Sequence, residues 1–391
     1  MERCDAMNDV VRLAGPAPVD TALVLPWLGQ LVEHDDEDVR VAAVKALVAG
    51  WAGDAGALPL VYGCVLSDPS EDLRCAAVRA VAGGWPDDPR TLPWLRESAT
   101  VDSNWVVRAT AVEVLAQRWP DDPRTLPLLR RRAIHDEVMW VRSAAVKAVA
   151  TAGAVHPDTL PWLCARGAED RSSEVRSAAV LAVASGWPQD PGTLPWLRER
   201  AADEAADVRK AAVEAIGRGW AGDPRFSPWL RQVADTDPDT SVRAAALRAV
   251  ADGWSTEPDS LPLVHRLATT GDDWHLRRGA VEALVAGWRD DPRTWPALRE
   301  LATSSTQNVD RMTAAWKLGE EWSSDPRAAA LLHELATTDD DVYVRQFALS
   351  AVRSGWPDDA ATLRLLRDRA TTDGSDEVRQ AAVRLAAELA G

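Results

Sequence analysis

The chain is expected to be all-α, a solenoid of about eleven stacked helix pairs, on three observations. An arginine recurs at Arg40, Arg74, Arg108, Arg142, Arg176, Arg209, Arg243, Arg277, Arg311, Arg345 and Arg379, spaced by 34 residues except for one interval of 33. Eleven residues later stands a tryptophan in nine of ten places, Gly153 being the replacement. Between successive arginines lie two stretches of helical apolar spacing, one short and one long. A fixed period of this length marks units that stack because none can bury its apolar face alone.

Taken in order, residues 1–20 carry Val10, Val11 and Leu13 in helical spacing and are expected to form a partial N-terminal capping helix. Residues 21–391 are expected to form one continuous array. In each unit the shorter helix comes first, as in TLPWLRESA (91–99). Thr91 is expected to cap it, with Pro93 in the first turn, where the missing N–H costs nothing. In the longer helix, DVRVAAVKALVAGW (38–51), Val39, Ala43, Val44, Leu47 and Trp51 share one face. Asp36, Ser70, Asn104, Ser172, Asp239, Asp273, Asp341 and Ser375 stand four residues before the arginine, placed to cap this helix. The residue just before the arginine is Val or Leu in ten units and Asp310 in the other.

The linker GWPDDPRTLPWLRE (84–97) has near copies at 118–131, 186–199 and 287–300. Gly84 is expected to take the left-handed conformation and Trp85 to fold back on the last helical turn. Asp-Pro pairs set a rigid turn. An acid–base carboxylate pair would be needed once, so aspartates repeated in most units read as turn and capping residues.

With 46% hydrophobic residues the 391-residue chain has ample material for a core. A net charge of −16 argues against gripping phosphate backbones. Only four of the 44 basic residues are lysines (Lys45, Lys147, Lys210, Lys317), a skew that reads as a GC-rich bacterial genome. Cys4, Cys64, Cys75 and Cys164 lack paired spacing and suit a reducing cytosol. There is no signal-peptide pattern at the start and no apolar run near 18 residues, so a cytoplasmic protein without a membrane span is expected. The six histidines show no zinc-type spacing, and no phosphate-binding glycine loop or GxSxG motif occurs. His333-Glu334, the one His-Glu pair, reads as helix surface. No catalytic residue, cofactor or metal ligand is assigned, and the chain is expected not to be an enzyme.

A short helix with an early proline, an acidic turn, then Val-Arg opening a longer Ala/Leu-rich helix resembles the HEAT repeat, from about Thr21 to the C-terminus. The tryptophan and the proline-rich linker depart from the general pattern. They look like a bacterial subtype found as free-standing arrays and attached to signalling ATPases of the NACHT kind. The resemblance implies a right-handed α-solenoid whose second helices line the concave face. It also implies that the repeated arginines, Arg40 through Arg379, bond acidic groups in a ladder. HEAT-like DNA glycosylases share the architecture only.

Residues one, five and nine places after the repeated arginine should face away from the core. The five-place register (Lys45, Arg79, Glu113, Lys147, Leu181, Glu214, Arg248, Glu282, Trp316, Ser350, Arg384) varies widely in charge and size. The unit 304–322 departs most, with Asp310 for Val, Glu321 for Gly, and Trp316 at an outward position. Candidate partner contacts are therefore Trp316, Lys317, Met312, Arg278, Glu282 and Arg248. Trp105, Trp140, Trp274 and Tyr343, two or three residues before the arginine, form a second group. Packing beneath the helix start is the favoured reading for them, with an aromatic ridge as the alternative. The arginines at 118, 124, 130, 131, 132 and 142 are expected to be a solvated face, with an anionic partner as the alternative. The leading function is a non-enzymatic scaffold holding a protein or peptide, with a mild preference for basic partners; nucleic acid and membrane are disfavoured. The alternatives are a sensor module working with a signalling ATPase, and an enzyme or enzyme subunit acting on nucleic acid or a bound cofactor.

Overall fold

The computed structural model describes residues 21–389, so the capping helix expected within residues 1–20 lies outside the described residues. Among the described residues there are 22 helices and no strand, arranged as eleven pairs of a helix A followed by a helix B. The third pair is Thr91–Val101 and Trp105–Arg118, and the fourth is Thr125–His135 and Met139–Ala152. Within each of the chain's two compact units, B helices pack on their own A helices and beside the B helices of neighbouring pairs. The chain divides at Arg200/Ala201 into two compact units. That point falls inside the single 33-residue interval, at the end of helix Thr193–Arg200, which has 8 residues where most other A helices have 11.

Valine and leucine before the repeated arginine make the seam. Leu73, Val107, Val141 and Val175 in the first unit are fully buried, as are Val208, Val242, Leu276, Val344 and Val378 in the second. Each such burial contributes on the order of 1.5–3 kcal/mol, available only when neighbouring pairs close over it. Six of the eight expected capping residues accept a backbone N–H at their helix start: Asp36, Ser70, Asn104, Asp239, Asp273 and Asp341. Ser172 and Ser375 occupy the cap position without that bond.

The linker differs from expectation in three ways. Gly84 is the last helical residue of its B helix and is not left-handed. Glycine is required in this register where B helices nearly touch. A Cβ on Gly287 would lie 3.1 Å from the Cα and carbonyl oxygen of Ala251, and one on Gly355 2.9 Å from the Gly319 carbonyl. Left-handed glycines occur instead in the Trp-Ala-Gly-Asp linkers, at Gly53 (φ 82°) and Gly222 (φ 80°). Trp85 reaches away from its own helix: its Nε1–H donates to the Asp54 carbonyl at 2.8 Å, one repeat back. Trp254 and Trp288 do the same to Asp223 and Ser255. Thr91 does not cap its helix. It is the first helical residue, buried, and its hydroxyl donates to the Trp85 carbonyl at 2.7 Å. Thr193 and Thr294 repeat that bond. In the linkers after Trp85 and Trp288 the tryptophan and threonine thus fasten both ends.

Candidate partner-binding surface

A rigid frame presents the surface, and the repeated arginine builds that frame. Arg108 donates from Nε and Nη2 to both oxygens of Asp136 at 3.0 and 2.9 Å, while its Nη1 donates to the carbonyls of Asp102 and Ser103. One guanidinium therefore holds its own A–B turn and the turn of the next pair. The same two-pronged pairing joins Arg40 to Asp68, Arg142 to Asp170, Arg209 to Asp237, Arg311 to Asp339 and Arg345 to Asp373. Arg74 pairs more loosely with Asp102, at 3.4 Å. Arg176 donates to the Asp170 carbonyl, and Arg379 to the Asp373 carbonyl and to Asp376.

Burial pushes the Asp136 carboxyl up. The hydrogen bonds from Arg108 and the Val138 N–H, with the charges of Arg108 and Arg132, outweigh it, and the group sits below the usual carboxylate range. Asp373 is held low in the same way by Arg345, the Ser375 N–H and Arg369.

Two joints are built differently. Gly271 replaces the partner aspartate of Arg243, which donates to the Ala234 carbonyl and pairs with the exposed Asp272 at 2.8 Å. Ser305 replaces the partner of Arg277. Asp310 takes over, buried, with Oδ1 and Oδ2 at 3.0 and 2.9 Å from Arg277 Nε and accepting from the Ser305 hydroxyl. Asp310, a departure from the repeat, thus belongs to the frame. The sequence held a signal for the partners. An aspartate stands six residues before the arginine at 68, 102, 136, 170, 203, 237, 339 and 373.

On this frame the five-place register faces outward. Lys45, Arg79, Glu113, Lys147 and Leu181 are exposed in the first unit, and Arg248, Trp316, Ser350 and Arg384 in the second, with Glu214 and Glu282 half-buried. The one-place register is more enclosed: Met312 is half-buried, Cys75 and Ser143 are buried, and Arg278 is exposed. In the second unit these side chains link into a row. Arg248 pairs with Glu282 at 3.2 Å, and Glu282 pairs with Arg278 at 3.0 Å. The Arg278 guanidinium lies 5.6 Å from the Trp316 ring centroid. Lys317 Nζ lies 4.2 Å from the same centroid and pairs with Glu320 at 2.6 Å. A groove of about 480 Å³ runs beside the row, lined by Lys210, Glu214, Ser241, Arg248, Arg278 and Glu282 among others.

The second aromatic group is exposed, contrary to the favoured expectation that it packs beneath the helix starts. Trp105, Trp140, Trp274 and Tyr343 are 39%, 45%, 40% and 62% exposed. Trp105 and Trp140 sit 6.5 Å apart between ring centroids. Trp274 stacks on His275. The arginine group near residue 130 does not form one face. Arg142 is buried on Asp170, Arg130 pairs with Asp158 and lies over Trp162, and Arg132 bonds the Thr100 carbonyl and Asp136.

Linker aspartates serve turns. Asp88 and Asp291 accept from the N–H two residues on. Hydrogen bonds from Arg90 and Arg293 hold these carboxyls down to about 2, so they are ionised near neutral pH and carry no proton to transfer. Burial pushes His333 below its usual value. Among the described residues, no group of three or more His, Cys, Asp and Glu could hold a metal ion, and no helix is long and apolar enough to cross a membrane.

The family model described as HEAT repeats matches the chain at residues 24–116, 62–150, 92–184, 160–251, 227–319 and 304–387. Among solved structures, importin beta crystallised in ammonium sulfate is 15% identical, over 98% of this chain and 59% of its own, with a TM-score of 0.55. Kap121p bound to RanGTP is 14% identical over 94% of this chain and 45% of its own, with a TM-score of 0.49. The E. coli protein YibA is 16% identical over 86% of this chain and 99% of its own, with a TM-score of 0.38. The chain thus spans about half the length of the importin-type proteins, and at these identities the likeness is one of fold. No curated protein matches it in sequence. With helix pairs in both units and the repeat model matched from residue 24 to 387, the chain belongs to the HEAT-repeat family.

Proposed function

We infer that the protein is a non-enzymatic scaffold that holds a protein or peptide against its B-helix face. The observation that supports this reading is the contrast between frame and register. The fastening residues recur from unit to unit, while the outward five-place register changes in charge and size. In the second unit that register includes Trp316, which lies against Lys317 and against Arg278, a residue of the groove lining. Covering the exposed 37% of Trp316, roughly 90 Å² of a tryptophan's surface, favours binding by about 2 kcal/mol. A rigid aromatic amid paired charges is the usual anchor of a protein interface.

The test is a pull-down of tagged protein from nuclease-treated lysate of its own host, beside Trp316→Ala, read by mass spectrometry and by an absorbance spectrum of the eluate. The expected result is a protein retained by the parent and lost from the variant. Equal retention by both would remove the anchor from Trp316. A chromophore or protected nucleic acid in place of a protein would overturn the scaffold reading.

A further inference from the structure

Four tryptophans of the described residues are exposed: Trp105, Trp140, Trp274 and Trp316. The chain repeatedly covers indole rings with its own cations. Arg130 lies over Trp162, Arg200 over Trp196, Arg289 over Trp322 and Arg327 over Trp295, at 4.7 to 5.8 Å from the centroids. Trp316 receives two, Arg278 and Lys317. Trp274 is stacked on His275 at 3.5 Å. Trp105 and Trp140 differ. Among the described residues no guanidinium or ammonium lies over either ring, and the aromatic contact each makes is with the other, with planes tilted by 34°.

Their surroundings have the opposite charge. Both stand at the starts of B helices, along the A–B turn edge of the first unit. That edge comprises residues 35–38, 69–72, 103–106, 137–140 and 171–174, and it carries eight carboxylates and one basic residue, Arg171. Arg171 is turned toward the Glu137 carbonyl. Glu71 accepts from the Asn104 side chain, just before Trp105. Asp72 and Glu174 hold the position of Trp140 on B helices of flanking pairs, a helix spacing or two away, 8–10 Å per step. Asp72 and Glu137 are exposed, and Met139, itself 39% exposed, extends the apolar patch beside Trp140. An uncapped indole pair inside an acidic border attracts a cation twice over, through the ring faces and through the carboxylates. The same border repels phosphate and acidic peptide.

We propose that Trp105 and Trp140 form the docking platform for an arginine-rich peptide segment of a partner, with one guanidinium over the indoles and its neighbours paired with Glu71, Asp72, Glu137 and Glu174. The proposal rests on the peptide-scaffold reading but uses a separate surface from Trp316, so each can fail alone.

Hexa-arginine, hexalysine and hexaglutamate peptides are titrated into the full chain carrying ¹⁵N-labelled tryptophan. Trp105→Phe and Trp140→Phe identify the two indole N–H signals. Hexa-arginine is expected to shift both signals and to bind more tightly than hexalysine, while hexaglutamate shifts neither. Trp105→Leu/Trp140→Leu should weaken hexa-arginine binding about tenfold or more, and Trp105→Tyr/Trp140→Tyr, which keeps two ring faces, should recover part of it. Glu71→Gln/Asp72→Asn should weaken it a few-fold and flatten its dependence on salt. Unmoved indole signals, or affinity unchanged by the leucine pair, would overturn the proposal and leave only diffuse attraction of opposite charges. Equal affinity of the tyrosine and leucine pairs would overturn the ring-face contact. Retention of a lysate protein through Trp316 would be unaffected by any of these failures.

Discussion

The joint closed by Arg108 and Asp136 and the joint closed by Arg277 and Asp310 hold a guanidinium in the same place with carboxylates from different places. In the first, the carboxylate comes from the turn of the next pair, 28 residues on, and is grasped by both Nε and Nη2. In the second, that turn offers Ser305, and the carboxylate comes from inside the next B helix, 33 residues on, at a position where every other unit buries or half-buries Val or Leu. A hydrophobic seam residue has been given up where a half-buried arginine keeps its counter-charge. The comparison teaches that this frame tolerates loss of an apolar contact more readily than an unpaired buried guanidinium, as expected where removal of one partner strands the other.

Acid should loosen the joints closed by Asp136 and Asp373 most broadly. Asp136 and Asp373 have folded pKa values below those of an unfolded aspartate. The stability they confer is therefore full above about pH 4 and is lost as pH falls through the folded values. Urea unfolding followed by far-ultraviolet circular dichroism is expected to show a falling midpoint below about pH 4 and little change from pH 5 to 8. A midpoint independent of pH down to 2 would remove the ladder from the stability of the fold.

Next in size is Asp136→Ala, which strands Arg108 in a site where its side chain is 7% exposed. A cost of about 3–5 kcal/mol is expected. In an array held by nearest-neighbour contacts, it should appear as faster amide exchange in helices Trp105–Arg118 and Met139–Ala152 before distant helices respond. Uniform loss of protection along the first unit would contradict this localisation.

Smallest and most informative is a cycle at the other joint. Asp310→Val, which restores the common residue, should cost about 2–4 kcal/mol because Arg277 keeps only the Gly271 carbonyl. Ser305→Asp/Asp310→Val, which rebuilds the common joint, should return to within about 1 kcal/mol of the parent. Additive losses in thermal denaturation would show that Asp310 is not the substitute carboxylate.

Much of the fold was legible because periodicity exposes it. Eleven arginines in register imply eleven pairs, and the Asp36, Asn104 and Asp239 caps follow from their fixed distance to that register. What was illegible depended on which of two jobs a residue performs. Glycine before the tryptophan fits a left-handed turn and a close helix crossing equally well, and only the approach of Ala251 to Gly287 decides for the latter. Thr91 has the chemistry of a cap, but its hydroxyl is directed to the Trp85 carbonyl. Asp310 looked like a functional departure because its meaning lies in Ser305, five residues earlier, where an aspartate is missing. On the candidate surface, the outward position of Trp316 followed from helical spacing. Its contacts with Arg278 and Lys317 did not, since they depend on side-chain reach across neighbouring helices.

The arginine that grips its own turn and the next has a consequence for ancestry. Wherever the interval is 34 residues and the aspartate is in place, a gene misaligned with its own copy by one period and recombined there encodes a chain whose seam already contains donor, acceptor and spacing. Such an array can lengthen or shorten by whole units without inventing a new joint, and the 33-residue step, the glycine at 271 and the serine at 305 mark where that freedom has been spent.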